Sequence, residues 1–454
     1  MIAGLPSDAD LESLLVGWLP AQRWFSAKNR TISGARILLR QNMIDDDGFV
    51  AEHTIVDVQL VDAPAQRYQI PLAFRIHPPE AFMPHALTDA AGAVTPYDGL
   101  ADPEVTARYI HALAHSESVG DLRFRTAPGG TVDPALRGRI LGAEQSNTSV
   151  VYGEQLLLKL FRRVEAGLNP DLELHRALGE VGCEFVAPLV GWMETEVDSI
   201  PTTMAIAQQF IPNAAEGWSM ALTSVRDLFT EADLHADELG TDFAGEAQRL
   251  GEAVAAVHAD LARSLGTEVR PVPTAMMRLR LDVAAEQIPE VAAARDAATK
   301  IFDRAESAGP TQVQRIHSDL HLGQTLRTPP RWVLIDFEGE PVKTIAERRE
   351  FDSPLRDVAG MLRSFDYAGH HPLIESTESN SAQRAFRANE WTARNSSAFC
   401  DGYAAVAQRD PRDDSAILRA YELDKAIYEA VYESRHRPSW LPLPVQAIAR
   451  LVSL

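Results

Sequence analysis

The stretch RIHSDLHLGQTLRTPPRWVLIDFEGEP (315–341) decides how this chain is read. It begins as a strand ending at His317 and continues into a polar loop that carries Asp319. A hairpin follows: QTLRT, a turn at Pro329–Pro330, then RWVLID, with Asp336 at the end of the second strand. This places Asp319, Gln324 and Asp336 at one rim of a small β unit, facing one cavity. Phosphoryl transfer asks for such a set: one carboxylate deprotonates the attacking hydroxyl, and other oxygens hold Mg2+ against the phosphates. Asp319 is the expected base, Asp336 the main metal ligand and Gln324 a neutral oxygen donor. A lone His-x-Asp triplet is common by chance; Gln324 and Asp336 at these offsets make it specific. The plainer alternative is a set of loop carboxylates that cap turns.

A second motif lies upstream in AEQSNTSVVYGEQLLLKLFRR (143–163), which reads as a strand, a polar turn and two more strands. In the turn, Ser146, Asn147, Thr148 and Ser149 offer donors to phosphates, although no glycine loosens the backbone there. Lys159 sits among leucines in LLLKLF, where a solvated lysine is out of place. The chain has only five lysines (28, 159, 300, 343 and 425) against 38 arginines, so a lysine in an apolar run points to function. A paired ammonium reaching ATP phosphates fits, with an edge-strand charge that blocks aggregation as the competing reading. NPDLELHRAL (169–178) then starts a helix. Asp171 and Glu173 diverge by about 200° around it, so one is expected to meet Lys159, and Glu173 is favoured. MAIAQQFIPNAAEGW (204–218) runs into a connection where backbone groups of Gln209, Phe210 and Ile211 suit adenine edges.

Composition narrows the function further. The 454 residues are 45% hydrophobic and 24% charged, as in a globular protein of two or three domains. A net charge of −21, from 43 basic and 64 acidic residues, excludes a phosphate-backbone binder, so no nucleic acid is expected as a partner. Cys183 and Cys400 form neither a disulfide framework nor a metal spacing. The N-terminus lacks a basic leader, and no apolar run reaches the roughly 18–20 residues of a membrane span. A cytoplasmic protein without membrane attachment is expected. No Walker, GxSxG or HExxH motif competes.

Residues 7–19 read as a short amphipathic helix with Leu11, Leu14, Leu15 and Trp18 on one face. TISGARILLR, HTIVDVQLVD and YQIPLAFRI alternate like half-buried antiparallel strands. The Gly/Pro-rich segment 126–138 is a loop, residues 140–212 alternate strand, helix and strand, and helices dominate afterwards. The expected fold is α+β, a sheet-rich N-lobe and a helical C-lobe preceded by a sheet-rich cap. The expected boundaries are 1–95, 96–212 and 213–454, with a ligand cleft between the lobes.

Several segments carry a family resemblance. HSDLHLGQTLRTPPRWVLIDFEGEP is followed by DSPLRDVAGMLRSFDYA (352–368), and QRWFSAKNR (22–30) and EQSNTSVVY (144–152) lie upstream. With FAGEAQRLGEAVAAVHADLARSLGT (243–267) and YELDKAIYEAVYESRHRPSWLPLP (421–444), they resemble actinobacterial maltokinase. That family is part of the aminoglycoside-phosphotransferase/choline-kinase group of protein-kinase-like folds. The resemblance implies ATP- and Mg2+-dependent phosphorylation of maltose at its anomeric hydroxyl, giving maltose 1-phosphate for glycogen-like α-glucan synthesis. It implies an N-terminal cap and association with, or fusion to, trehalose synthase. By position, Asp319 matches the family's catalytic aspartate, Gln324 and Asp336 its metal ligands, and Lys159 its phosphate-binding lysine. Glu338 lies where a further carboxylate stands near the metals, and Asp357 where an aspartate steadies the catalytic loop. His317 is read as a structural residue of that loop.

Ser318 departs from the family pattern, which has glycine between the histidine and the aspartate; a positive φ there would strain serine. For the sugar, Tyr421, Glu422, Lys425 and Tyr428 on a C-terminal helix, with Arg437 and Trp440 beyond it, combine flat apolar faces with polar groups. Alternatives are a kinase for glucosamine, an aminoglycoside or a choline-like amine, a catalytically silent kinase-fold scaffold, and a glucan-binding module.

Overall fold

Alternation of apolar and polar residues builds the first part of the chain. A computed structural model describes residues 4–88, 94–142, 146–231, 235–238, 240–341, 343–375 and 381–453. Strands β1 (Ile32–Asp46), β2 (Phe49–Leu60), β3 (Ala63–Arg75) and β4 (Thr95–Asp98) form an antiparallel sheet in chain order. Because β4 pairs with β3, the sheet runs past residue 95, where the sequence pattern suggested its end. Helix α1 (Asp8–Trp18) starts at a capping box between Ser7 and Asp10. Its Leu11, Leu15 and Trp18, spaced at four and three, bury against Val56, Tyr68 and Ile70 of the sheet.

A second, seven-stranded sheet contains β5 (Ser118–Val119), β6 (Leu122–Thr126), β7 (Gly138–Leu141), β8 (Thr148–Tyr152), β9 (Leu156–Leu160), β10 (Leu189–Val197) and β11 (Ile200–Gln209). Its order is β5-β6-β10-β11-β9-β8-β7. Helix α2 (Pro103–Ala114) buries Val105, Tyr109 and Leu113 in a core shared with Val150, Leu158 and Met204. Arg162, 1% exposed, links the two sheets. It donates to Asp98 Oδ2 at 2.6 Å and Thr148 Oγ1 at 2.8 Å, and its guanidinium lies 4.6 Å from the Trp24 ring centroid. Gln69 Nε2 adds bonds to the Phe161 and Met204 carbonyls at 2.7 and 2.6 Å. A buried guanidinium persists only with such partners, so these bonds fix how the sheets meet.

The chain divides into two compact units, residues 1–173 with 187–212, and residues 174–186 with 213–454. The second is mainly helical. Its elements are most of α3 (Pro170–Glu180), then α4 (Gly217–Thr230), α5 (Ala244–Leu265), α6 (Thr274–Gln287), α7 (Pro289–Ser307), α8 (Ile345–Arg348), α9 (Pro354–Glu375), α10 (Ser381–Ala407), α11 (Ser415–His436) and α12 (Pro442–Ser453). Short strands β12 (Ala215–Glu216), β13 (Thr267–Arg270), β14 (Thr311–Gln314), β15 (Thr325–Arg327) and β16 (Trp332–Leu334) complete it. Helices α5 and α10 touch backbone to backbone. A Cβ on Gly251 would stand 2.0 Å from the Phe399 carbonyl oxygen, and one on Gly402 1.9 Å from that of Gln248. Among the described residues, no helix is long and apolar enough to cross a membrane.

Candidate active site

The hairpin read from residues 324–336 is present, with Thr325 opposite Leu334 and Arg327 opposite Trp332. Ile335 N–H donates to the Gln324 carbonyl at 3.0 Å, and Leu334 N–H to Phe185 at 2.8 Å, which ties the hairpin into its unit. Asp336 lies two residues beyond the strand end, in left-handed backbone with φ 64°. Strain of this kind persists where the surroundings over-determine the residue. The Gln324 side-chain amide donates to Asp336 Oδ2 at 3.2 Å, and a Glu338 oxygen comes within 4.8 Å of an Asp336 oxygen. Two carboxylates and an amide oxygen are the donor set of a hard cation such as Mg2+.

The loop before the hairpin is held from below by Asp357, in the first turn of α9. Its carboxylate accepts from His317 N–H at 2.8 Å, Ser318 N–H at 2.9 Å and His258 Nε2 at 3.1 Å. Burial would raise the Asp357 pKa, but these donors outweigh it and hold the pKa below the usual carboxylate value. Tyr403 hydroxyl in turn meets His258 Nδ1 at 2.9 Å. His317 Nε2 donates to the Ile335 carbonyl at 2.9 Å, and its ring packs 4.6 Å from that of Phe337. Both histidines of the motif serve structure: His321 Nδ1 accepts from Gly323 N–H at 3.1 Å. Ser318 has φ 72°, the strained conformation its place in the motif suggested.

Asp319 meets a residue that sequence reasoning had given to the sugar. Lys425 Nζ of α11 lies 2.9 Å from Asp319 Oδ1. Burial pushes the Asp319 pKa up, but Lys425 and His321 outweigh it and leave it below the usual range. Burial likewise opposes the Lys425 charge, yet Asp319, Glu340 and Glu429 hold its pKa above that of a free lysine. His321 feels both Asp319 and Asp336. The small pocket at Asp319 and Lys425 is also lined by Glu340, Asp424, Arg280 and Arg356. Glu340 pairs with Arg356 at 2.7 Å, and Asp424 pairs with Arg280. Glu340, Arg356, Asp424, Arg280 and His258 gave no sequence signal; Lys425 did, as one of five lysines.

The rest of the C-terminal set splits. Tyr421 is buried and its hydroxyl donates to Asp352 Oδ1 at 2.8 Å, so that group supports structure. Tyr428 lines the pocket beside Lys425, 5.2 Å from its ammonium. Glu422 is not among the residues that line the Asp319 pocket. Its pKa is pushed up to about 7 by burial, and its charged neighbours are Arg363, Asp366 and Arg419. Glu429 pairs with Arg363 at 2.8 Å. At 100° per residue Glu422, Lys425 and Glu429 fall within about 60° of one another, so one face of the helix carries all three. Arg437 bonds Glu433 at 2.6 Å and stacks 4.2 Å over Trp440, whose ring lies 4.4 Å from His371. These two form an aromatic cluster outside the Asp319 pocket lining.

The nucleotide-side candidates fall in the first unit. Lys159 is buried, and Asp171 Oδ2 meets its Nζ at 3.1 Å; Asp171 is the residue that sequence reasoning ranked below Glu173. Asn169 Oδ1 accepts from Asp171 N–H at 2.8 Å, which sets the helix start so that Asp171 faces the strand. Thr148 and Ser149 are not turn residues but the first residues of β8, both buried; Ser146 and Asn147 precede it. The β-branched run after Asn147 extends the strand backward. Residues 143–145 of that turn lie outside the described residues. Gln209 N–H already donates to Pro188 at 2.9 Å and Phe210 N–H to Gln155 at 2.9 Å. Two of the backbone donors read for adenine are therefore taken within the protein.

Residues 18–102, which span the sheet built by β1 to β4, match the maltokinase N-terminal cap domain. A glucosamine kinase of Streptacidiphilus jiangxiensis is 26% identical over 382 residues, covering 80% of this chain and 84% of the relative. One of Mycolicibacterium smegmatis is 27% identical over 331 residues, covering 69% and 79%. The fold is that of glucosamine kinase, with TM-score 0.70 at 23% identity over 98% of this chain and 99% of that one. A structure of glucosamine kinase in complex with glucosamine, ADP and inorganic phosphate gives TM-score 0.67 at 22% identity, covering 98% and 100%. The cap and these relatives support a sugar kinase with the expected α+β architecture.

Proposed function

We propose that the chain is an ATP-dependent maltokinase that phosphorylates the anomeric hydroxyl of maltose. The observation that carries the choice of a neutral sugar is the charge balance around Asp319. Its pocket sets Arg280, Arg356 and Lys425 against Asp319, Glu340 and Asp424, three cations against three carboxylates. Lys425 already supplies an ammonium at Asp319 Oδ1, so a second ammonium from an amino sugar would meet a like charge there. A neutral disaccharide meets no such penalty, and the cap match agrees.

In this reading Asp319 accepts the proton of the sugar hydroxyl, and Lys425 keeps that carboxylate ionised. Asp357 holds the loop so that Asp319 stays in register with the hydroxyl. Gln324, Asp336 and Glu338 would hold Mg2+, which when bound neutralises charge on the phosphates. Lys159, oriented by Asp171, would bind phosphate, with Ser146 and Asn147 near it in sequence. Maltose 1-phosphate feeding α-glucan synthesis, and trehalose synthase as a maltose-supplying partner, complete the reading.

A second reading, glucosamine kinase, is favoured by the names of the two curated relatives. The test is ADP release with ATP, Mg2+ and either maltose or glucosamine, with anomeric analysis of the product. Turnover with maltose and little with glucosamine is expected; the reverse would replace the proposal with the second reading. Asp319→Asn should lower kcat by about 10²–10⁴, as for loss of a general base, and undiminished turnover would remove Asp319 from its role.

A further inference from the structure

The C-terminal end of α2 carries a side-chain cluster that phosphoryl transfer does not use. His111 and His115 stand one helical turn apart with ring centroids 4.2 Å apart, both exposed. Beyond the helix the chain reverses through Ser116, at φ 49°, which returns Glu117 toward His111. Glu117 Oε1 lies 2.9 Å from His111 Nδ1, and Oε2 accepts from Arg108 at 2.6 Å. One metal-capable atom of each of His111, His115 and Glu117 lies within 4.8 Å of the others.

We propose that His111 and His115, oriented by Glu117, form a surface site for a late first-row divalent cation such as Zn2+. The hydrogen bonds around the rings support this directly. His111 Nδ1–H donates to the Glu117 carboxylate, and His115 Nδ1–H donates to the His111 carbonyl at 2.8 Å. Each ring then keeps the lone pair of Nε2 for a ligand. A carboxylate or carbonyl behind a histidine is the arrangement that fixes tautomer and ring direction in protein metal sites.

Ligands about 2.0–2.1 Å from zinc stand about 3.3 Å apart in a tetrahedron, and one ligand atom of each ring already lies within 4.8 Å of the other. Imidazole donors select zinc, nickel or copper, whereas magnesium prefers the all-oxygen set of Asp336, Glu338 and Gln324. The remaining coordination positions face solvent and are open to water or to a side chain of another molecule.

The test uses the tag-free full chain, stripped with chelator and kept in millimolar Mg2+ so that oxygen-donor sites are filled. Zn2+ alone is the probe, titrated in competition with a fluorescent zinc indicator. One equivalent is expected for the wild type. That equivalent should be lost in the His111→Ala/His115→Ala variant and weakened about 10–100-fold in Glu117→Gln, with kinase turnover unchanged in all three. No zinc uptake by the wild type would overturn the proposal, and so would equal uptake by the double variant. Both alanines lie on exposed positions, and circular dichroism of the double variant checks that it folds.

Discussion

Lys425→Met tests most directly what governs the base. Two unit charges 2.9 Å apart attract with about 6 kcal/mol at an effective dielectric of about 20. Desolvation cancels much of that, and a carboxylate beside a cation ends with its pKa lowered by about 1–3 units. At about 1.4 kcal/mol per unit, the net effect is about 1.4–4 kcal/mol. In the proposed function Asp319 accepts a proton only when ionised, so activity should fall on the acid side as pH drops through its pKa.

With Lys425 in place that acid limb lies below the ordinary carboxylate range. Without it, burial dominates and the limb should move up by about 1–3 units. Lys425→Met should therefore lose most activity near pH 5 and least near pH 8. Lys425→Arg keeps the charge and should leave the limb in place. The measurement is kcat/KM for the sugar from pH 4.5 to 9 in all three proteins. A Lys425→Met profile as flat between pH 4.5 and 6 as that of the wild type would refute the reasoning, whatever happens to the absolute rate.

Asp357→Ala leaves three buried donors without their acceptor and should destabilise the fold by about 3–5 kcal/mol, read from urea unfolding; a loss below 1 kcal/mol would contradict its role in holding the loop. Ser318→Gly relieves left-handed strain of about 1–2 kcal/mol but adds about 0.5–1 kcal/mol of chain entropy. A gain of about 0.5–1 kcal/mol is expected, with kcat retained. Gly402→Ala forces a methyl against the Gln248 carbonyl, where the Cβ would stand 1.9 Å away. Overpacking of this sort should cost about 1–3 kcal/mol, seen as a lower Tm, whereas a neutral result would mean that α5 and α10 separate easily.

Local signals made the catalytic loop and its hairpin legible. Pro329–Pro330 forces a turn, alternation forces two strands, and the spacing of Asp319, Gln324 and Asp336 follows from that geometry. Ser318 was legible through the family pattern, whose glycine at that place raised a positive φ as a condition for strain, and the backbone has it. The cap strands and α1 were legible from period-two and period-four patterns, but β2 and β3 are buried on both faces rather than half-buried, because a second core packs on the sheet face opposite α1. The start of β8 was misplaced because Thr148 and Ser149 favour turns as single residues, while pairing with β7 and β9 draws them into the sheet.

Whereas β4, β5 and β6 gave no signal, sequence by itself determined the carboxylate-and-amide set, the loop that carries Asp319 and the longer strands of the first sheet. These depend on residues within about one or two turns of each other, where backbone geometry is short-range. Only tertiary structure decided that Lys425 neutralises Asp319 from 106 positions away, and that Asp171 reaches Lys159. Only it decided that Glu429 pairs with Arg363 and that His258 braces the loop through Asp357. Charge pairing acts through space. Which two charges share a desolvated corner is settled by how helices pack, and the order of residues along the chain carries almost no trace of it.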